Sequence, residues 1–164
     1  MDSSEQTIGP IHVTSMIEAV GSQARHGAVI TIEDPDCSFG FRVSNGMPQL
    51  VLAFHDVTSV RGQWIAPGLD HVKQAIEFAR KHRGSSLLIH CHAGISRSPA
   101  IALAIIADRL GPGRETEAVS YLHAKLSNIE PNLRIVACAE MACFTIPEKS
   151  WPRRQCEGLN LPLD

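Results

Sequence analysis

The sequence contains no apolar run long enough to cross a bilayer. Its longest, Ala100 to Ala107, falls far short of the ~20 residues a spanning helix needs. Charge of one sign is also lacking: 15 basic against 17 acidic residues leave a formal net charge of −2, so no basic face is offered to nucleic acid. No GxxxxGK[ST] run exists, which removes the usual loop for a nucleoside triphosphate. There is neither an internal repeat nor a low-complexity segment. The five cysteines (Cys37, Cys91, Cys138, Cys143 and Cys156) are odd in number and form no CxxC pair. That excludes a disulfide framework and a zinc ribbon, and leaves buried apolar thiols as the ordinary reading. The opening MDSSEQTIGP lacks the basic-then-apolar order of a signal peptide, so a cytoplasmic location is expected, without a membrane partner.

What is present is ordinary globular composition, 44% hydrophobic and 20% charged over 164 residues. One domain over 1–164 is expected, its core at about 8–146 and an irregular, proline-containing tail at 147–164. Ile11 to Thr14 reads as a strand, Ser15 as a cap, and Met16 to Ala24 as a short helix. Ala28 to Ile32 and Leu50 to Phe54 read as strands, separated by a turn-rich stretch with Asn45-Gly46 that suggests a loop or hairpin. A long loop, 55–68, leads to a helix with Leu69, Val72, Ile76 and Ala79 on one face. Leu87 to His90 reads as a strand buried on both faces. Ser98-Pro99 opens an apolar helix ending at Leu110. Two further helices carry the stripes Val119, Leu122, His123, Leu126 and Leu133, Val136, Ala137, Met141, Phe144. Strands with helices early and helices alone late imply an α/β sheet covered by helices.

The chemistry concentrates in LLIHCHAGISRSPAIALAI, residues 87–105, where an apolar strand breaks at a thiol and resumes as an apolar helix after a guanidinium. A short loop between a strand and a helix N-terminus leaves backbone N–H groups unpaired, and these converge on an anion if the loop curls. Gly94 permits close backbone approach, with Ala93 and Ser96 small beside it. The same electropositive cradle stabilises a thiolate, so Cys91 is expected to be nucleophilic at neutral pH. Arg97 supplies a planar fork for two oxygens of a tetrahedral oxyanion.

HCHAGISRS resembles the signature loop of the cysteine-dependent protein tyrosine phosphatase superfamily: His-Cys, five residues, Arg, then Ser or Thr. His90, Cys91, Ala93, Gly94, Arg97, Ser98 and Pro99 all match the dual-specificity branch. The resemblance implies a central mixed β-sheet flanked by helices on both sides, and hydrolysis without metal or other cofactor. It places Cys91 as nucleophile, Arg97 and the loop His92, Ala93, Gly94, Ile95 and Ser96 around the phosphate, and Ser98 as hydrogen-bond donor to the sulfur. The general acid of such relatives lies one strand-loop-helix earlier. Asp56 and Asp70 both fall there. Asp70 has a sufficient role against the helix dipole, so Asp56 is taken as the acid. Its interval to Cys91 is slightly longer than is usual for the family, which suggests a small insertion around Arg61 to Trp64.

Three rivals remain open. His90-Cys91-His92 could suggest a metal, but consecutive strand residues point to opposite faces, so His90 and His92 cannot readily join Cys91 at one ion. A phosphate-binding module without turnover would keep Arg97 and tend to lose the nucleophile or acid. A rhodanese-type sulfurtransferase also seats a cysteine in an anion-binding loop. The expected substrate is a phosphorylated protein, with phosphotyrosine foremost, or a small phosphomonoester.

Overall fold

The computed structural model describes residues 8–38, 40–43 and 46–143. Its elements are β1 (Ile11–Ser15), α1 (Met16–Ser22), β2 (Ala28–Glu33), β3 (Gln49–Ala53), α2 (Leu69–Lys81), β4 (Leu87–Cys91), α3 (Arg97–Leu110), α4 (Glu115–Lys125) and α5 (Leu133–Cys143). The sheet order is β1-β4-β2-β3. The central pair, β2 and β4, is buried almost throughout, which explains why Ala28 to Ile32 and Leu87 to His90 show no polar alternation.

Alternation divides the core. Ala28, Ile30, Ile32, Leu87, Ile89 and Cys91 face one side, packed under α2 to α5. Val29 and Leu88 face the other, covered by Ala19 of α1 and by Phe41, Val43 and Met47. Helices therefore flank both sides, though the second side is finished by an irregular segment. Every strand pairing among the described residues is parallel, so the antiparallel strand that would make the sheet mixed is not among them. The hairpin alternative for 33–48 fails for the same reason: β2 and β3 run parallel, and the segment between them is a crossover. Asn45, Phe144 and the 147–164 tail lie outside the described residues.

Local signals held where sequence neighbours decide the structure. Ser15 caps α1 in a reciprocal box with Glu18, and α2 buries Val72, Ala75, Ile76 and Ala79. The stripe on α5 is corrected: Ile135, Val136, Cys138 and Ala139 are buried while Met141 is exposed. On α4, His123 is exposed rather than part of the apolar stripe. The α3 helix is buried nearly all round.

Parallel strands bring their carboxyl ends to one edge. Cys91 closes β4, Asp34 follows β2, and Asp56 lies three residues beyond β3, so groups far apart in sequence share the edge where α/β sheets bind ligands.

Candidate active site

The loop 91–97 joins the end of β4 to α3. Cys91 is 3% exposed at its base. Its sulfur lies 3.1 Å from Ser98 Oγ and accepts the Gly94 N–H at 3.3 Å. The Gly94 N–H is thus aimed at the sulfur, with the Ser98 hydroxyl within hydrogen-bonding distance. Gly94 has φ of +76°, and a Cβ there would lie 2.7 Å from Ser15 N and Thr14 C. Only glycine permits this curl against β1. The neighbouring bond from Met16 N–H to His92 O, 3.1 Å, ties loop to sheet.

Arg97 is 5% exposed. One terminal nitrogen, Nη1, donates to Asp34 Oδ1 at 2.7 Å and to Phe54 O at 2.9 Å. Its Nε is buried with no partner. A buried donor costs free energy when unpaired, so the fork is held on one side and unsatisfied on the other. That suits a tetrahedral oxyanion over the loop. His92, Ala93 and Ile95 are exposed around the rim while Cys91 lies buried beneath.

Asp56 is exposed, and its Oδ1 accepts from Ser96 Oγ at 2.8 Å and from Asn132 Nδ2 at 2.7 Å. Asn132 is 4% exposed. Its Oδ1 caps α5 by accepting from Arg134 N and Ile135 N, and its own N–H reaches Ser96 O at 3.2 Å. One residue thus joins the loop that carries Asp56, the 91–97 loop and α5. Asp70, by contrast, lies exposed in the first turn of α2, where a carboxylate complements the helix dipole. The stretch suspected as an insertion is a closed loop: His55 N–H bonds Ile65 O at 2.8 Å, Ile65 N–H returns to His55 Nδ1 at 2.9 Å, and Trp64 stacks on His55. This loop, the 129–133 segment and His123 border a groove of about 890 Å³ that starts at Asp56, Ile95 and Ser96.

Behind the loop, His90 is 1% exposed on the sheet face opposite Cys91, so the two cannot share a metal. Among the described residues no group of three or more His, Cys, Asp or Glu is placed to hold an ion. Burial lowers the His90 pKa to about 4. Burial also raises that of Cys138, which lies in the core; Cys37 is exposed. The structure thus brings Cys91, Arg97, Ser98 and Asp56 to one edge. It adds Asp34 and Asn132, which the sequence reading did not single out. Asn132 carried one signal, an Asn directly ahead of a helical stripe; Asp34 resembled any turn aspartate.

A strand-to-helix loop at the carboxyl edge of a parallel α/β sheet locates the candidate site, and comparison with known proteins supplies the class. The chain belongs to the family of the dual specificity phosphatase catalytic domain, whose model matches residues 41–138. Human dual specificity protein phosphatase 5 is 38% identical over 64 residues, covering 38% of this chain and 16% of that protein. Human dual specificity protein phosphatase 16 is 39% identical over 72 residues, covering 44% of this chain and 10% of that protein. The matched region is therefore a small part of each curated relative. Among solved structures, DUSP15 superposes with a TM-score of 0.64 at 21% identity, covering 82% of this chain and 83% of that one. The human tyrosine phosphatase-like serine/threonine/tyrosine-interacting protein gives 0.61 at 21% identity, covering 78% and 83%. No helix among the described residues is long and apolar enough to cross a membrane.

Proposed function

We propose that the domain hydrolyses phosphomonoesters through a cysteinyl-phosphate intermediate. The observation that carries this reading is Arg97 with Nη1 anchored and Nε unpaired, beside a Cys91 sulfur that accepts the Gly94 N–H and lies within hydrogen-bonding distance of the Ser98 hydroxyl. In the first step the Cys91 thiolate attacks phosphorus in line, forming the S–P bond as the P–O bond to the leaving group breaks. Arg97 and the loop hold the equatorial oxygens. Asp56 gives its proton to the leaving oxygen. Ser96 and Asn132 both donate to Oδ1, which leaves Oδ2 to carry that proton. In the second step Asp56 takes a proton from water, the water oxygen bonds phosphorus, and the S–P bond breaks. Ser98 donates to the departing sulfur, and inorganic phosphate leaves.

The substrate in this reading is a phosphorylated protein. The exposed rim and the open groove suit an extended chain better than an enclosed small molecule. Phosphotyrosine is the foremost ester, with phosphoserine and phosphothreonine accepted by so shallow a site. A cytoplasmic location goes with this, since a reduced thiol persists there. The test is hydrolysis of an aryl phosphate with a chelator present. Wild type should turn over and Cys91→Ser should not. Phosphate binding without turnover by wild type would instead identify a binding module, and transfer of sulfur from thiosulfate would identify a sulfurtransferase.

A further inference from the structure

Beneath the nucleophile runs a chain of polar side chains that the proposed mechanism does not use. Thr31 of β2 and His90 of β4 are register partners, on the sheet face away from Cys91, and each is 1% exposed. Thr31 Oγ1 lies 2.9 Å from His90 Nε2 and accepts from Gln49 Nε2 at 2.7 Å. We propose that Gln49 and Thr31 are positioning residues that hold His90 in the tautomer carrying its proton on Nδ1, and so direct a ring N–H at the backbone of Cys91.

The direction of the chain follows from groups that cannot change role. The Gln49 amide oxygen accepts from Val43 N–H at 3.1 Å, and its nitrogen also donates to Phe41 O at 3.0 Å. A backbone N–H only donates and a carbonyl only accepts, so the orientation of the amide is fixed. Thr31 Oγ1 therefore accepts a hydrogen bond from Gln49. Its own single proton has His90 Nε2 in reach, which makes Nε2 the acceptor. The opposite tautomer would bury two unmet groups, the Thr31 hydroxyl proton and the Nδ1 lone pair. The proposed one leaves only the Nδ1 N–H, which has no partner at hydrogen-bonding geometry. It faces the Cys91 backbone, which favours a proton on the ring. Buried polar groups are rarely left unpaired, so the first arrangement is disfavoured. The edge of Phe41 against the imidazole, 4.6 Å between centroids and 83° between planes, limits rotation of the ring. Gln49 at the start of β3 thus acts on the residue before the nucleophile through two side chains.

That Cys91 is the nucleophile rests on the proposed function; the tautomer does not. The test is ¹⁵N NMR of the His90 ring at neutral pH, together with the rate of Cys91 alkylation by iodoacetamide and steady-state turnover of an aryl phosphate. Wild type should show a protonated Nδ1 and a bare Nε2. Thr31→Val and Gln49→Leu should shift population toward Nε2–H. They should also slow both alkylation and kcat roughly three- to tenfold, with KM nearly unchanged, as a sub-ångström misplacement of the nucleophile would. Thr31→Ser should restore tautomer and rate together. A protonated Nε2 in wild type overturns the proposal, even if neither variant folds. Variants that melt earlier yet keep the wild-type tautomer and alkylation rate also overturn it. Failure of wild type to hydrolyse the ester would count against the proposed function alone, because the spectrum and the alkylation rate are read without turnover.

Discussion

Replacing Gly94 by alanine separates the shape of the loop from its charge. At φ of +76° an alanine pays roughly 1–2 kcal/mol for the left-handed backbone. Its Cβ would also sit 2.7 Å from Ser15 N and Thr14 C and 2.9 Å from Thr14 O. These are backbone atoms of β1, held in the sheet by pairing with β4, so they cannot turn aside as a side chain would. Loop and strand must part by several tenths of an ångström, an overpacking that costs roughly 1–3 kcal/mol. The sum, roughly 2–5 kcal/mol, is a large share of the ~5–15 kcal/mol typical of a domain. The chain can avoid part of it by lifting the loop, but that takes the Gly94 N–H off the Cys91 sulfur and strains the Met16–His92 bond. Urea denaturation and aryl phosphate turnover should therefore both suffer, turnover by ~10²-fold or more. Gly111→Ala is the control. Its φ is +89° and its ψ 173°, with nothing within 4 Å of the added carbon, so it should lose about 1–3 kcal/mol from backbone strain alone and leave turnover intact. Wild-type stability and turnover in Gly94→Ala would refute the reasoning.

Other outcomes follow from the contacts of the site. Asp34→Ala should lower kcat/KM for an aryl phosphate roughly tenfold, the low end for a charge-assisted bond because Asp34 is half-exposed; unchanged kinetics would remove it from the site. Asp56→Asn should cut turnover by ~10²–10⁴-fold while Asp70→Asn mainly costs stability, and the reverse pattern would move the acid to Asp70. His90 has a folded pKa of about 4 against an ordinary 6.5, so between those values the unfolded chain binds the extra proton. Its contribution is intact above pH ~6.5 and is lost as pH falls toward 4, by up to about 3 kcal/mol. Denaturation midpoints of wild type and His90→Gln across that window should diverge, and parallel curves would contradict the burial argument.

The sequence disclosed most where chemistry and local structure coincide. Strand, loop and helix around Cys91 and Arg97 are contiguous, and the density of HCHAGISRSP makes the loop readable without coordinates. The α2 stripe and the Ser15 cap were legible because residues three and four apart decide them. Asp34 was not, since its partner Arg97 is 63 residues away and aspartate is common in turns for its own reasons. Asn132 meets Asp56 across 76 residues, a juxtaposition set by packing of α5. The hairpin alternative at 33–48 failed similarly: turn formers mark a reversal, but whether the next strand pairs parallel is decided by the sheet. Met141 falls outside the buried face of α5, which meets α3 and α2 through Ile135, Cys138 and Ala139, a choice of face that packing makes and the apolar pattern alone does not.

The central claim is that phosphorus passes through the sulfur of Cys91, and the most direct measurement is rapid acid quench of the enzyme during turnover of an aryl phosphate, followed by peptide mass spectrometry. Asp56→Asn, which should slow release more than attack on an activated ester, is the favourable form to quench. One phosphoryl group on the peptide containing Cys91, absent in Cys91→Ser, is the predicted result. Full turnover with no phosphorylated Cys91 peptide at any quench time, or the same label in Cys91→Ser, would contradict the account.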